Sequence, residues 1–153
     1  MRRKGYFTDA GTNTDLAGLG PVAVINAFFD AINNGDMVRA NACLSPQQML
    51  DALTVNLLPN RLYNPGFGAN NSLAANIESG RLLSWSFVTY DKPSRRMEKS
   101  KVMPAGDRVE VAAELQIRWR DNAFNTPTGM DSRFIVLSHS YLGWKIEGMG
   151  TGP

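Results

Sequence analysis

The spacing of apolar residues changes along the chain, from helical in the first part to alternating in the second. The first apolar stripe has spacings of three and four residues, which predicts an amphipathic helix over residues 21–34. Pro21 suits the first helical position because its missing N–H would have no helical partner there. Gly35 can take the positive φ that ends a helix. The stripe consists of Val22, Ile25, Phe28, Phe29 and Ile32.

Two more helices are predicted before the strands begin. Asp36 can cap a short helix whose apolar positions are Met37, Ala40 and Leu44. The run Ser45-Pro46-Gln47-Gln48 has the form of a capping box and predicts a third helix that ends before Pro59. Residues 59–80 are rich in Asn and turn pairs, and within them residues 72–79 are predicted to form one short helix.

From Arg81 onward the apolar period is two, which is typical of strands with one buried face. Residues 81–90 are predicted to carry Leu83, Trp85 and Phe87 on one face. The charged segment 95–103 is predicted to be an edge strand. Residues 108–120 alternate most clearly and are predicted to be a central strand. Residues 134–141 and 144–149 are predicted to form a hairpin across Leu142-Gly143.

Helices that precede a run of strands indicate an α+β fold with segregated layers, rather than a parallel βαβ sheet. The chain has 153 residues, which fits one domain. The polar segment 1–20 is predicted to be a flexible N-terminal tail, and residues 21–153 are predicted to be that single domain.

Composition excludes several functions. The net charge of +2 comes from scattered residues, so no nucleic-acid partner is expected. The single cysteine, Cys43, excludes an intrachain disulfide and a multi-cysteine metal site, and it is interpreted as a small buried hydrophobe. The sequence contains no phosphate-binding loop, HExxH or GxSxG motif. No metal and no cofactor are therefore expected.

The localisation depends on what precedes this sequence in the native protein. The basic start Met1-Arg2-Arg3-Lys4 resembles the beginning of a signal peptide, but no apolar segment follows it. As the sequence stands, a cytoplasmic protein is expected. If a native signal or anchor has been removed, an extracytoplasmic or lipid-anchored protein is expected.

Both ends of the predicted domain resemble the NTF2-like superfamily, which includes SnoaL-like and ketosteroid-isomerase-like proteins with a cystatin-like fold. The run Pro21 to Asp36, with its Asn-Gly-Asp ending, resembles their first helix. The run Gly143 to Pro153 resembles their last strand, and its closing Gly-Thr-Gly-Pro looks most like a bacterial family of unknown function. The resemblance implies N-terminal helices packed in the concave face of a curved antiparallel sheet, which together form a cone.

A cone of this kind implies a ligand pocket with a mainly apolar wall and a few polar groups. Its mouth is expected at the loops 59–80 and 122–129. The competing hypothesis is that the same aromatic side chains fill the cone and leave no site. The candidate ligand-binding residues are Leu53, Tyr63, Trp85, Phe87, Ile117 and His139.

No catalytic residue is assigned, because the resemblance carries none. Chemistry of the isomerase type needs a base beside a hydrogen-bond donor, and the candidates are His139, Tyr141 and Asp51. His139 and Tyr141 share strand parity with Leu137, so both are expected on the concave side. Arg118, Arg120 and Arg133 suggest a basic patch on the outer sheet face, interpreted either as a contact for an acidic partner or membrane, or as a solvated face.

These observations lead to three hypotheses about function. The first is a non-catalytic domain that binds an unknown small molecule or protein. The second is a small-molecule isomerase or dehydratase that uses the same cone. The third is a structural domain that forms a homodimer through the sheet face.

Overall fold

The computed structural model describes residues 15–45, 77–119 and 129–150. These residues form an α+β fold, as predicted, with short N-terminal helices followed by a five-stranded antiparallel sheet. The helices are a 3-10 helix, Asp15–Gly18, then α1, Pro21–Asn33, and α2, Met37–Ala42. The strands are β1, Ile77–Tyr90; β2, Met97–Ser100; β3, Arg108–Trp119; β4, Gly129–Ser140; and β5, Gly143–Gly150.

The two predicted helix starts are confirmed by their local geometry. Pro21 stands at the beginning of α1, and Gly35 beyond its end has a φ of 73°. Asp36 caps α2, because its Oδ1 accepts a hydrogen bond from the backbone N–H of Arg39 at 3.0 Å. The third predicted helix, beyond Ser45, lies outside the described residues.

The strand order is β2-β1-β3-β4-β5, so β3 lies in the centre as predicted and β2 lies at an edge. The odd-numbered side chains of β3 are buried against the helices and define the inner face of the sheet. The even-numbered ones, including Glu110 and Glu114, define the outer face. The predicted hairpin is present as β4 and β5, and its turn is Tyr141-Leu142, with Gly143 already paired to Ser140.

Strand β1 differs from its prediction in its start and in its faces. It begins at Ile77, so residues 77–79, predicted as the end of a short helix, belong to the sheet. Register shifts at Ile77/Ser79 and Leu82/Ser84 mark bulges. A bulge adds one residue and moves the following side chains to the opposite face. Leu82 therefore pairs with Leu115 on the inner face, whereas Leu83, predicted to point inward, is 39% exposed.

The core lies between α1 and the inner face of the sheet. Helix α1 contacts β1 and β5, and its Phe28 and Phe29 are fully buried in the same cluster as Val111, Leu115 and Ile117. The residues at 15–18, predicted to belong to the tail, also pack here, because Leu16 is buried and Ala17 lies against Gly143. A Cβ on Gly143 would lie 2.7 Å from the Cα of Ala17, so this close approach requires glycine.

Candidate functional site

An ion pair lies on the inner face of β4, at Asp131 and Arg133. Both Nε and Nη2 of Arg133 lie 2.9 Å from Oδ2 of Asp131. The two side chains are only 10% and 13% exposed for Arg133 and Asp131, respectively. A charged pair with so little contact with water is unusual for a small domain, because charged residues are rarely buried unless they are paired.

The strands on either side place apolar and aromatic groups around this pair. Asp131 is the register partner of Leu115, and Arg133 is the partner of Ala113. On β1 the same two rows continue to Leu82 and Trp85, which are both partly buried. The guanidinium carbon of Arg133 also lies 5.5 Å from the centre of the Trp119 ring, within range of a cation–π interaction. Trp119 therefore lies beside the pair, and Trp85 lies in the row of Arg133 with Ala113 between them.

A buried ion pair contributes little net stability, because the cost of removing two charges from water offsets their attraction. Its presence on a face that otherwise packs the core therefore calls for a functional explanation. The pair offers a carboxylate acceptor and a planar set of guanidinium donors, which are groups that fix the orientation of a polar ligand. We name the set Asp131, Arg133, Trp85 and Trp119 the inner-face site.

Sequence reasoning missed this site because it placed Arg133 on the outer face with Arg118 and Arg120. That assignment is wrong for Arg133, since its register with Ala113 puts it on the inner face. Arg118 does lie on the outer face, where its Nε is 3.2 Å from a carboxylate oxygen of Glu78, and Arg120 lies outside the described residues. The available signal was parity, because Arg133 shares an alternating face with Ile135.

Three of the predicted ligand-binding residues lie on the inner face. Phe87 and Ile117 are buried in the core cluster, whereas Trp85 is only partly buried. The rings of Trp85 and Phe87 meet edge to face, with centroids 5.3 Å apart. Of the others, Leu53 and Tyr63 lie outside the described residues. The structure thus places Trp85 on the same face of the sheet as the ion pair and in the row of Arg133.

Of the three catalytic candidates, the two that the structure describes, His139 and Tyr141, are not brought together. The His139 side chain is 44% exposed, its ring lies 5.0 Å from that of Trp144, and its Nδ1 is 3.9 Å from a carboxylate oxygen of Asp107. Tyr141 occupies the β4–β5 turn and is 93% exposed, so it does not share a concave side with His139 as predicted. Asp51 lies outside the described residues.

Cys43 has the surroundings of a structural thiol. It is fully buried after α2, and burial raises the pKa of its thiol to about 11. A thiolate is the reactive form of cysteine, so this environment opposes nucleophilic chemistry. Within residues 15–45, 77–119 and 129–150, no group of three or more His, Cys, Asp and Glu side chains could hold a metal ion.

The outer face carries an apolar groove of about 540 Å³ that runs across β3, β4 and β5. The Tyr90 hydroxyl donates to Glu110 at 3.2 Å on its rim, and the pKa of Tyr90 is raised by desolvation and by this carboxylate. We name this hollow the outer groove, and its lining includes Phe134, Val136, Gly148 and Gly150.

Comparisons of the chain with protein-family models, with curated proteins and with solved structures find no significant match in any of the three. Among the described residues, no helix is long and apolar enough to cross a membrane.

Proposed function

We propose that this chain is a non-catalytic NTF2-like domain that binds a small organic molecule at the inner-face site. The observation that carries the proposal is the ion pair of Asp131 and Arg133, which is almost buried on a face that otherwise packs the core. An open antiparallel sheet with helices on one face is compatible with an NTF2-like cone.

The site favours a ligand with a planar apolar part and one polar group. Trp85 lies in the row that holds Arg133 and is only partly buried, with Nζ of Lys101 4.1 Å from its ring centre, so the exposed part of the indole would offer an aromatic surface to a planar ligand. The ion pair would recognise a carboxyl, hydroxyl or carbonyl group, and it would orient this group by hydrogen bonds. The expected ligand is therefore an aromatic or alicyclic molecule that carries a carboxyl, hydroxyl or carbonyl group.

A thermal-shift screen tests this proposal. The probes are a fragment library of aromatic and alicyclic acids, alcohols and ketones. Compounds that raise the melting temperature are then titrated by calorimetry against the wild type, Trp85→Ala and Asp131→Asn. Binding should weaken at least about tenfold in each variant, because each loses one contact worth about 1.4 kcal/mol or more.

Arg118→Ala is the matched control, since Arg118 also forms an ion pair with a carboxylate but lies on the outer face. Binding should be unchanged in this variant. Each variant is first compared with the wild type by near-ultraviolet circular dichroism, so that a folding defect is recognised. The proposal fails if no fragment binds, or if the confirmed fragments bind equally well to Trp85→Ala and Asp131→Asn.

A second candidate function is an isomerase or dehydratase at the same site. The observation that favours it is the Asp131 carboxylate, which is only 13% exposed and is a chemical group that can act as a general base. Confirmed ligands that contain a ketone or hydroxyl are assayed for turnover with the wild type, Asp131→Asn and His139→Ala. Turnover that is lost in Asp131→Asn supports the enzyme, and binding without turnover in all three proteins supports the binding domain.

A third candidate is a structural homodimer formed through the outer face. The outer groove favours it, because an apolar hollow floored by Gly148 and Gly150 would let a second sheet approach closely. Sedimentation velocity of the wild type and Val136→Glu tests this candidate. A dimer that dissociates in the variant supports it, whereas a monomeric wild type at high concentration excludes it.

A further inference from the structure

The β1–β2 connection and the segment after β2 project from the sheet edge as an exposed basic ribbon, residues 91–103. Every residue from 92 to 103 is exposed. Strand β2 within it is four residues long, pairs with β1 at the edge of the described sheet, and buries none of its side chains. The ribbon therefore adds nothing to the core, which leaves its composition without a structural explanation.

The charge of the chain is concentrated in this ribbon. It contains five basic and two acidic residues, so its net charge is +3, compared with +2 for the whole chain. The other residues together carry a net charge of −1. The basic residues are Lys92, Arg95, Arg96, Lys99 and Lys101.

None of these five cations forms an ion pair with a carboxylate among the described residues. The ion pairs among the described residues involve Arg39, Arg118, Arg133 and His139, and none lies in the ribbon. The ribbon's acidic side chain Asp91 accepts a hydrogen bond from Ser94. Lys101 has uncharged partners, because its Nζ contacts the backbone oxygen of Trp85 and lies 4.1 Å from the centre of that ring. A local field of unneutralised positive charge results.

Exposed apolar side chains accompany this charge. Val102 is 76% exposed, Met103 is 47% exposed and Met97 is 39% exposed. Single exposed hydrophobic residues are ordinary, but three within seven residues of a basic ribbon form the combination found on interfacial membrane-binding segments. The ribbon contains no aromatic residue, so it lacks the stacking platforms that single-stranded nucleic acids require.

We propose that the basic ribbon docks this domain on an anionic lipid surface. Lys92, Arg95, Arg96 and Lys99 contact the negative headgroups, while Val102 and Met103 enter the interface between headgroups and acyl chains. The membrane is recognised by charge complementarity together with apolar insertion, and this requires no membrane-spanning helix. None of these six lipid-facing side chains belongs to the inner-face site, although Lys101 of the same ribbon contacts Trp85.

Co-sedimentation of the full chain with large vesicles tests the proposal. The probes are vesicles of phosphatidylcholine alone and vesicles of phosphatidylcholine mixed with phosphatidylglycerol. The wild type should bind the mixed vesicles in preference, and added salt should weaken this binding. Arg96→Gln/Lys99→Gln should lower the partition coefficient roughly thirtyfold, since each basic residue near the surface contributes about 1 kcal/mol.

The matched control is Arg81→Gln/Arg118→Gln, which removes the same charge from exposed positions outside the ribbon. This control should keep nearly all of the binding, because at physiological salt charges are screened over about 8 Å. A second variant, Val102→Ser/Met103→Ser, keeps the charge and should also weaken binding. Thermal unfolding of all variants is measured, and no change is expected for the ribbon variants because their side chains are exposed.

Three results would overturn the proposal. If Arg96→Gln/Lys99→Gln and Arg81→Gln/Arg118→Gln lose equal amounts of vesicle binding, the binding depends on net charge alone. Unchanged binding of Val102→Ser/Met103→Ser would exclude insertion and indicate a purely electrostatic contact. Failure of the wild type to bind mixed vesicles, with binding to a single-stranded oligonucleotide instead, would assign the ribbon to nucleic acid. The inner-face site is unaffected by any of these results, so failure of either proposal is distinguishable from failure of the other.

Discussion

Asn33 holds Gly80 through two hydrogen bonds that join the end of α1 to the bulged part of β1. Its Nδ2 donates to the backbone oxygen of Gly80 at 2.8 Å, and its Oδ1 accepts from the backbone N–H of Gly80 at 2.9 Å. The side-chain amide thus pairs with both polar groups of one residue, as a neighbouring strand would. A Cβ on Gly80 would lie 2.9 Å from the Phe29 ring, so the absence of a side chain allows this approach.

Replacing Asn33 with alanine should lower the free energy of unfolding by about 1–2 kcal/mol, because both backbone groups of Gly80 lose their partner in a partly buried place. Urea unfolding measures the change. Asn34→Ala is the control, since it removes an amide from the adjacent position just beyond α1 without touching this pair. Equal stability of the two variants would contradict the importance of the Asn33–Gly80 contact.

Truncation of the largest core side chains should be costly. Phe28 is fully buried and Trp119 is 5% exposed, so Phe28→Ala or Trp119→Ala should each lower the unfolding free energy by about 3–5 kcal/mol. Tyr141→Ala removes a similar aromatic ring from the exposed β4–β5 turn and should change stability by less than about 0.5 kcal/mol. If the unfolding midpoint of Phe28→Ala stays at the wild-type value, the burial of Phe28 in the core is contradicted.

Because of the bulge in β1, we expect truncation of two adjacent leucines to have different effects on the unfolding free energy. Leu82 pairs with Leu115 on the inner face, so Leu82→Ala should lower the unfolding free energy by about 2 kcal/mol. Leu83 points away from the core, and Leu83→Ala should cost less than about 1 kcal/mol. Thermal and urea unfolding of the two variants compare these costs. If Leu83→Ala loses more unfolding free energy than Leu82→Ala, the bulge is contradicted and the unbroken alternation predicted from the sequence is supported.

The buried thiol of Cys43 should make stability depend on pH in the alkaline range. Its folded-state pKa of about 11 lies above the ordinary value of 9.0, so the folded protein keeps this proton at a pH where the unfolded chain loses it. The stabilising contribution is present in full below pH 9 and is lost as the pH rises through 11. The free energy of unfolding should therefore fall over this range.

Urea unfolding of the wild type and Cys43→Ala at several pH values isolates this effect. Burial lowers the pKa of Lys145, which works in the opposite direction, but Lys145 is present in both proteins and its effect largely cancels in the difference. The alanine variant should lack the alkaline loss, although its overall stability also changes because of the smaller side chain. Parallel stability curves for the two proteins would contradict the raised pKa of the thiol.

Local chemistry in the sequence was enough to place much of the fold. The stripe that contains Phe28 predicted α1, the cap at Asp36 predicted α2, and the alternation over 108–120 predicted the central strand. Each of these signals depends on the steric period of the backbone or on one side chain that caps its own helix. Such interactions act between residues close in the chain, so the sequence determines them without reference to the rest of the molecule.

The tertiary structure decided which residues share a face, and with that the candidate site. Alternation predicted that Leu83 points inward, but the pairing of β1 with β3 introduces a bulge that brings Leu82 there instead. For Arg133, parity with Ile135 already indicated the inner face, but the burial of its ion pair with Asp131 depends on the packing of the strands. Strand register is set by hydrogen bonds to a neighbouring strand distant in the chain, and a shift of one residue reverses every later side chain. Local periodicity cannot contain that information.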